Sequence, residues 1–161
     1  MPSGVLVDTS FLITLAGDRR ANHDAAVKYW KHFKDSGMVI YLSVIVVSEF
    51  SVKQSIPDDI RLSCVPVIFN WDDAIRAAKF DQFREKVAGV ERSALKDDMK
   101  IIAQAAGKDV AYVITDDGNS FAKYCRVLHE HGKIKFKIIE LSDGFDMSHF
   151  REPTLFDEAG S

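Results

Sequence analysis

The sequence predicts an α/β fold with a mostly parallel central sheet covered by helices on both faces. Three observations predict it. Short apolar blocks recur at residues 5–7, 38–42 and 110–115, uniform enough to be strands buried on both sides. Between them, apolar residues fall at helical spacing and glycines close the runs. Acids stand where two of the strands end, at Asp8 and at Asp116-Asp117, and parallel sheets bind ligands beyond their carboxyl ends.

Taken in order, Val5-Leu6-Val7 is the first buried strand, ending at Asp8. Thr9 and Ser10 offer N-cap chemistry for a helix through Phe11, Leu12 and Leu15, which Gly17 ends. Asn22 or His23 opens a second helix, with Ala26, Tyr29, Trp30 and Phe33 on one face and Gly37 beyond its end. Residues 38–42 form the second strand. Ser43 opens a helix to about Gln54, although Val44-Ile45-Val46-Val47 is β-branched and locally favours strand. Residues 64–69 are extended around Pro66, while residues 56–63 carry no clear signal. Asn70 caps a helix over 71–87, with Asp72 and Asp73 suited to its positive end. Gly89 and Val90 form a link. Further helices are expected at 94–106 and 119–128, a third strand at 110–115, and a last strand at 134–141. A single domain over 1–145 and a tail over 146–161, containing Pro153, follow.

Composition bounds the function. The chain has 161 residues, 47% hydrophobic, with 21 basic and 24 acidic side chains and a net charge of -3. That balance opposes a protein coating nucleic acid through a broad positive field. It leaves room for a nuclease, because divalent cations can neutralise acids that face a phosphate. No apolar run is long enough for a bilayer, and the N-terminus lacks a basic region before its apolar stretch. Cys64 and Cys125 have no diagnostic spacing and read as buried thiols. The expectation is a soluble, cytoplasmic protein without a membrane partner.

Asp is common in strand–helix turns because it caps helices, so the strand-end acids prove little singly. The helix acids discriminate better. Asp98 shares its helix face with Ala94, Leu95, Ile101, Ile102 and partly Ala105, so its carboxylate lies along the apolar stripe. Asp97 faces Lys100 and Gln104 and reads as solvated. Glu49 is flanked by Ile45, Val46 and Val52, with Lys53 one turn on as a simple ion-pair partner. If Asp8, Glu49, Asp98 and Asp117 meet, each pair about 5 Å apart repels by roughly 3 kcal/mol at an effective dielectric of 20. No arginine lies close in sequence to any of the four. Oxygen-only ligands suit Mg2+ or Mn2+, and no His or Cys spacing suggests zinc.

At these residues the sequence resembles the PIN-domain ribonucleases, particularly the VapC-type toxins of type II toxin–antitoxin modules. Val5-Leu6-Val7-Asp8-Thr9-Ser10 is similar to that family's first strand and first acid, and Ser43 with Glu49 to its second. Asp98-Met99-Lys100-Ile101-Ile102-Ala103-Gln104-Ala105 resembles the third acid and its alanine-rich helix, and Val113-Ile114-Thr115-Asp116-Asp117 the Thr-x-Asp element. The resemblance runs from Val5 to Leu141. It implies a three-layer α/β/α sandwich and Mg2+- or Mn2+-dependent hydrolysis of RNA phosphodiesters, leaving a 5′-phosphate. Asp8 and Asp98 would hold the primary cation, Glu49 and Asp117 would complete the site or orient water, and Thr115 would orient the acids. Asp97 and Asp116 are neighbours able to substitute, and Thr9 and Ser10 are further neighbours of the site; helix geometry favours Asp98 over Asp97, and Thr-x-Asp spacing favours Asp117 over Asp116. A small antitoxin and a second copy of the chain are the implied partners. A non-toxin nuclease of RNA processing and a catalytically silent PIN-like module are the alternatives within this fold.

Lys96, Lys100 and Arg84 are candidates for substrate phosphate, with Lys86, Arg92 and Lys123 further off. Lys133, Lys135 and Lys137 alternate with Ile134, Phe136 and Ile138, a pattern that reads as a protected edge strand, not an RNA groove. His129 and His131 fit a solvated helix end. A phospho-receiver domain also carries strand-end acids and a Thr, but it needs an Asp ending a middle strand, and here the second strand ends in Leu42-Ser43.

Overall fold

Five short parallel strands run through the centre of the molecule in the order β3-β2-β1-β4-β5. They are β1 (Gly4–Val7), β2 (Val39–Ser43), β3 (Cys64–Val67), β4 (Tyr112–Thr115) and β5 (Lys137–Glu140). The architecture comes from a computed structural model describing residues 3–87 and 92–151, with the side chains of 92–95 also outside the description. The expected link at Gly89 and Val90, the contacts of Ala94 and Leu95, Arg92 as a phosphate contact and the tail beyond Arg151 with Pro153 therefore lie outside the described residues.

Register follows the apolar pattern. Val5 pairs with Ile40 and Tyr112, and Val7 with Leu42 and Ile114, so the most apolar strands occupy the middle. Val5, Leu6, Val7, Val113 and Ile114 are fully buried. Pro66 lacks a donor and lies on the edge strand β3, where none is needed on the open side. Chain order reverses at β1: the connections to β2 and β3 move one way and those to β4 and β5 the other. Right-handed crossovers then set α1 (Thr9–Ala16), α2 (His23–Asp35), α3 (Val44–Ser51) and α4 (Asp58–Ser63) on one face. They set α5 (Trp71–Phe80), α6 (Arg92–Gly107) and α7 (Phe121–Glu130) on the other. The carboxyl ends of β1 and β4 flank the reversal, where such sheets open a crevice.

Several expectations need correction. Asp8, not Thr9 or Ser10, caps α1, accepting from the Phe11 amide. The helix expected over 71–87 is α-helical only to Phe80 and tightens into a 3-10 segment over Asp81–Lys86. Its start is as expected, with a capping box between Asn70 and Asp73. The β-branched run after Ser43 is helical because the Ser43 hydroxyl caps it, accepting from the Ile45 amide at 3.1 Å. Residues 58–63 form the helix α4 that the sequence left without a signal. The last strand spans only Lys137–Glu140, so Lys133 and Lys135 precede it. Cys125 is buried as expected, whereas Cys64 is only half-buried. Tyr29, Trp30 and Phe33 belong to the core, and Phe145 and Phe150 cover Tyr29 with centroids 4.8 and 6.2 Å away.

Gln104 also departs from expectation. It lies fully buried instead of on a solvated face, its Oε1 accepting from the Ser43 hydroxyl at 2.5 Å and its Nε2 donating to the Val67 carbonyl at 3.3 Å. One side chain thereby ties α6 to the ends of β2 and β3. Gln104→Ala strands two buried polar groups, and we expect a loss of about 2–3 kcal/mol in denaturant unfolding at unchanged m-value. A loss below about 0.5 kcal/mol, the range of ordinary surface changes, would contradict this role.

Candidate active site

The carboxyl ends of β1 and β4 place Asp8 and the Thr115-Asp116-Asp117 segment side by side. Asp8 is 3% exposed. Its Oδ1 accepts from the Phe11 amide at 2.9 Å and the Ser10 hydroxyl at 2.8 Å, and its Oδ2 from the Thr115 hydroxyl at 2.5 Å. Thr115 Oγ1 also accepts from the Asp117 amide at 2.9 Å, so one hydroxyl positions two acids. The small polar residues are needed here because a buried carboxylate requires donors, and a strand end followed by a helix N-terminus supplies them.

Asp98 arrives from α6 and Asp117 from the turn before α7. They share one donor: the Ser120 hydroxyl lies 3.1 Å from Asp98 Oδ2 and 2.5 Å from Asp117 Oδ2. One proton between two carboxylates leaves negative charge uncompensated. Asp117 Oδ1 accepts from the amides of Asn119 and Ser120 at 3.0 and 2.9 Å, which fixes the turn. Glu49, on α3 at the rim, accepts from the Thr9 hydroxyl at 3.0 Å; the expected Lys53 pair is not among the ion pairs of the described residues.

The acids feel one another. Burial pushes Asp8 up to about 7, against the pull of Thr115, the Phe11 amide and Ser10, and the charge of Asp117 adds to the rise. Burial likewise pushes Asp98 to about 7; Ser120 opposes the shift, and the charges of Asp8, Asp117 and Glu49 reinforce it. Glu49 is raised by lost solvation, opposed by Thr9 and assisted by the charge of Asp97. None of these four acids forms an ion pair with Lys, Arg or His among the described residues.

The neighbours separate cleanly. Asp116 turns away, accepting from the Thr14 hydroxyl at 2.5 Å and Asn22 Nδ2 at 2.8 Å, so it braces α1 against the loop before α2. Asp97 pairs with Lys100 at 3.8 Å, and Lys96 is exposed. Arg84 is engaged with Asp81 at 3.2 Å, which leaves it a poor candidate for substrate phosphate. Ser120 escaped the sequence reading. The spacing Asp117-x-x-Ser120, an aspartate turn before a helix, was its one visible signal.

The donor set is all oxygen, acidic and short of positive charge, which fits a hard dication. Among the described residues, no group of three or more His, Cys, Asp or Glu side chains stands ready-formed as a metal cage. The carboxylates are instead held by Ser10, Thr115, Ser120 and Thr9, one hydroxyl or two apiece. Ser120→Ala removes the shared donor and keeps the backbone turn. We expect it to weaken Mn2+ binding about 10–100-fold with an unchanged circular dichroism spectrum; wild-type affinity would show that Ser120 does not position these acids.

No family model matches the sequence, and no curated relative does. Solved structures do match the fold. VapBC2 from Rickettsia felis, bound to a DNA fragment from their promoter, superposes with a TM-score of 0.60 over 84% of this chain and 97% of that one, at 14% identity. FitAcB from Neisseria gonorrhoeae gives 0.56 over 86% and 98%, at 17% identity.

The chain has the PIN-like fold.

The Mycobacterium tuberculosis toxin VapC20, described as cleaving the sarcin–ricin loop, shares the PIN-like fold at a TM-score of 0.55, covering 74% of this chain and 93% of that one, at 20% identity. No helix among the described residues is long and apolar enough to cross a membrane.

Proposed function

We propose that this PIN-like chain is a Mg2+- or Mn2+-dependent endoribonuclease, acting in the cytoplasm as the toxin of a toxin–antitoxin pair. One observation carries the reading: acids from four separate segments couple electrostatically, two with pKa values near 7, and no cationic side chain among the described residues pairs with them. Desolvated like charges of this kind are typical of functional sites. The toxin named for its sarcin–ricin-loop cleavage, which shares the fold, supports RNA as the substrate.

In this reading Asp8 and Asp98 hold the cation, with Glu49 and Asp117 completing the shell. A bound dication supplies neutralisation of the substrate phosphate and the acidity that makes water a nucleophile near neutral pH. Thr115 and Ser10 orient Asp8, and Ser120 holds Asp98 against Asp117. Lys96 and Lys100 flank Asp98 in sequence and are assigned to phosphate contacts, Lys100 by leaving its long, exposed contact with Asp97.

An antitoxin chain and a second copy of this chain are the proposed partners. Leu62, Ile68 and Trp71 are 78%, 69% and 81% exposed, which supports a protein interface on the side of β3. Incubating the purified chain with mixed RNA, in Mn2+ and in chelator, tests the activity. Cleavage only with Mn2+ is expected. Saturable Mn2+ binding without cleavage would favour the silent PIN-like module, and a short reading frame for a small DNA-binding protein beside the gene would separate toxin from processing nuclease.

A further inference from the structure

A second charged region lies at the other end of the molecule. The Phe83 ring, on the 3-10 segment Asp81–Lys86, has Lys86 Nζ 5.6 Å and Lys133 Nζ 5.8 Å from its centroid. The His131 ring packs 4.9 Å from the same centroid, and its Nε2 lies 3.3 Å from Lys86 Nζ. Beside this cluster a cavity of about 330 Å3 is lined by Lys133, Lys135, Arg76 and Asp109 over Phe80 and Ile134. Arg76 is spoken for by Asp73 and the Ala103 carbonyl. Lys86, Lys133 and Lys135 take part in none of the ion pairs among the described residues.

Two features separate this cluster from ordinary solubilising charge. Two of its three lysines, Lys86 and Lys133, lie over one aromatic ring in a chain whose net charge is -3. It also adjoins a concave surface, where field lines concentrate. The lysine alternation predicts an edge strand, yet Lys133 and Lys135 precede β5, and the buried Ile134 and Phe136 that alternate with them serve the core. The two lysines are therefore available for another partner.

We propose that Lys86, Lys133, Lys135 and His131 form a phosphate-binding exosite that holds the backbone of an RNA whose cleavage occurs at the carboxylates. The inference rests on the nuclease reading for the identity of the polyanion. α7 connects the two places: its amino end follows Ser120 and its carboxyl end precedes His131, a separation of about 15 Å along ten residues. An RNA of several nucleotides spans that distance; a dinucleotide does not. The exosite thus favours substrates by length, reading phosphate and not base sequence.

The test uses the full chain in EDTA, where no cleavage confuses binding, with a labelled hairpin RNA titrated across salt concentrations. The triple variant K86A/K133A/K135A should bind about tenfold or more weakly at 0.15 M salt, with the slope of log K against log salt reduced by about 2–3. With Mn2+, its turnover of a dinucleotide should equal that of the wild type. Unchanged affinity and slope would overturn the exosite, as would a wild type with no salt-dependent RNA affinity. Lysine-dependent binding of poly-glutamate without RNA binding would also overturn it, in favour of an acidic polypeptide. Lysine-dependent RNA binding by a chain that cleaves nothing would leave the exosite standing and remove the nuclease assignment.

Discussion

Asp98→Asn and Asp8→Asn should each reduce Mn2+-dependent RNA cleavage by at least about 10^3-fold while leaving the fold intact. Both changes keep the side-chain volume. The amide oxygen introduced by Asp8→Asn can still accept from the Phe11 amide as a helix cap, and the one introduced by Asp98→Asn still receives the Ser120 hydroxyl. What is lost is the anionic oxygen that a hard dication requires. Removing a group that stabilises developing charge costs about 10^2–10^3-fold even where it is neutral, and an anionic ligand does more. Asp116→Asn serves as the contrast: its carboxylate is turned to Thr14 and Asn22, so its effect should fall on stability more than turnover. Single-turnover rates at saturating Mn2+ measure the three variants, and equal losses in all of them would dissolve the distinction.

The second large effect is on stability against pH. Asp8 rises from 3.8 to about 7 on folding, so the native state binds the more protons between these values. Stability therefore falls as pH climbs through that window, and it is fully present only below it. The change amounts to about 4 kcal/mol for this one group. Asp98 adds in the same direction. For a chain of this size we expect the cation-free protein to melt roughly 10 °C lower at pH 8 than at pH 5.5. Asp8→Asn should remove much of that slope, since a neutral amide has no proton to lose. Saturating Mn2+ should raise the melting temperature at pH 8 far more than at pH 5.5, because at the lower pH protons already occupy the acids. A melting temperature that rises from pH 5.5 to pH 8 without cation would show that the acids are solvated.

How far the sequence led can be judged residue by residue. The central strands were visible because an all-apolar strand such as Val5-Leu6-Val7 is demanded by a sheet covered on both faces. The ends of elements were less visible. α5 stops at Phe80 and β5 begins at Lys137, positions decided by packing and not by local pattern. α4 was hidden because six residues are too few for amphipathic periodicity to register. In the candidate site, Asp98 stood out since a carboxylate on an apolar stripe is anomalous, and Asp117 was favoured over Asp116 by its spacing from Thr115. Ser120 and Gln104 were not legible. A hydroxyl or amide is ordinary at any surface, and only the fold reveals that its partners lie far along the chain, 61 residues apart for Ser43 and Gln104.

Proton release on Mn2+ binding goes most directly to the centre of the account. Titration calorimetry at pH 6.5, run in two buffers of different ionisation enthalpy, counts the protons displaced per cation. With Asp8 and Asp98 both near 7, saturable binding should release about one proton or more, and Asp98→Asn should diminish both the affinity and the release. Binding that releases none, or that survives in Asp98→Asn unchanged, would mean the dication sits elsewhere.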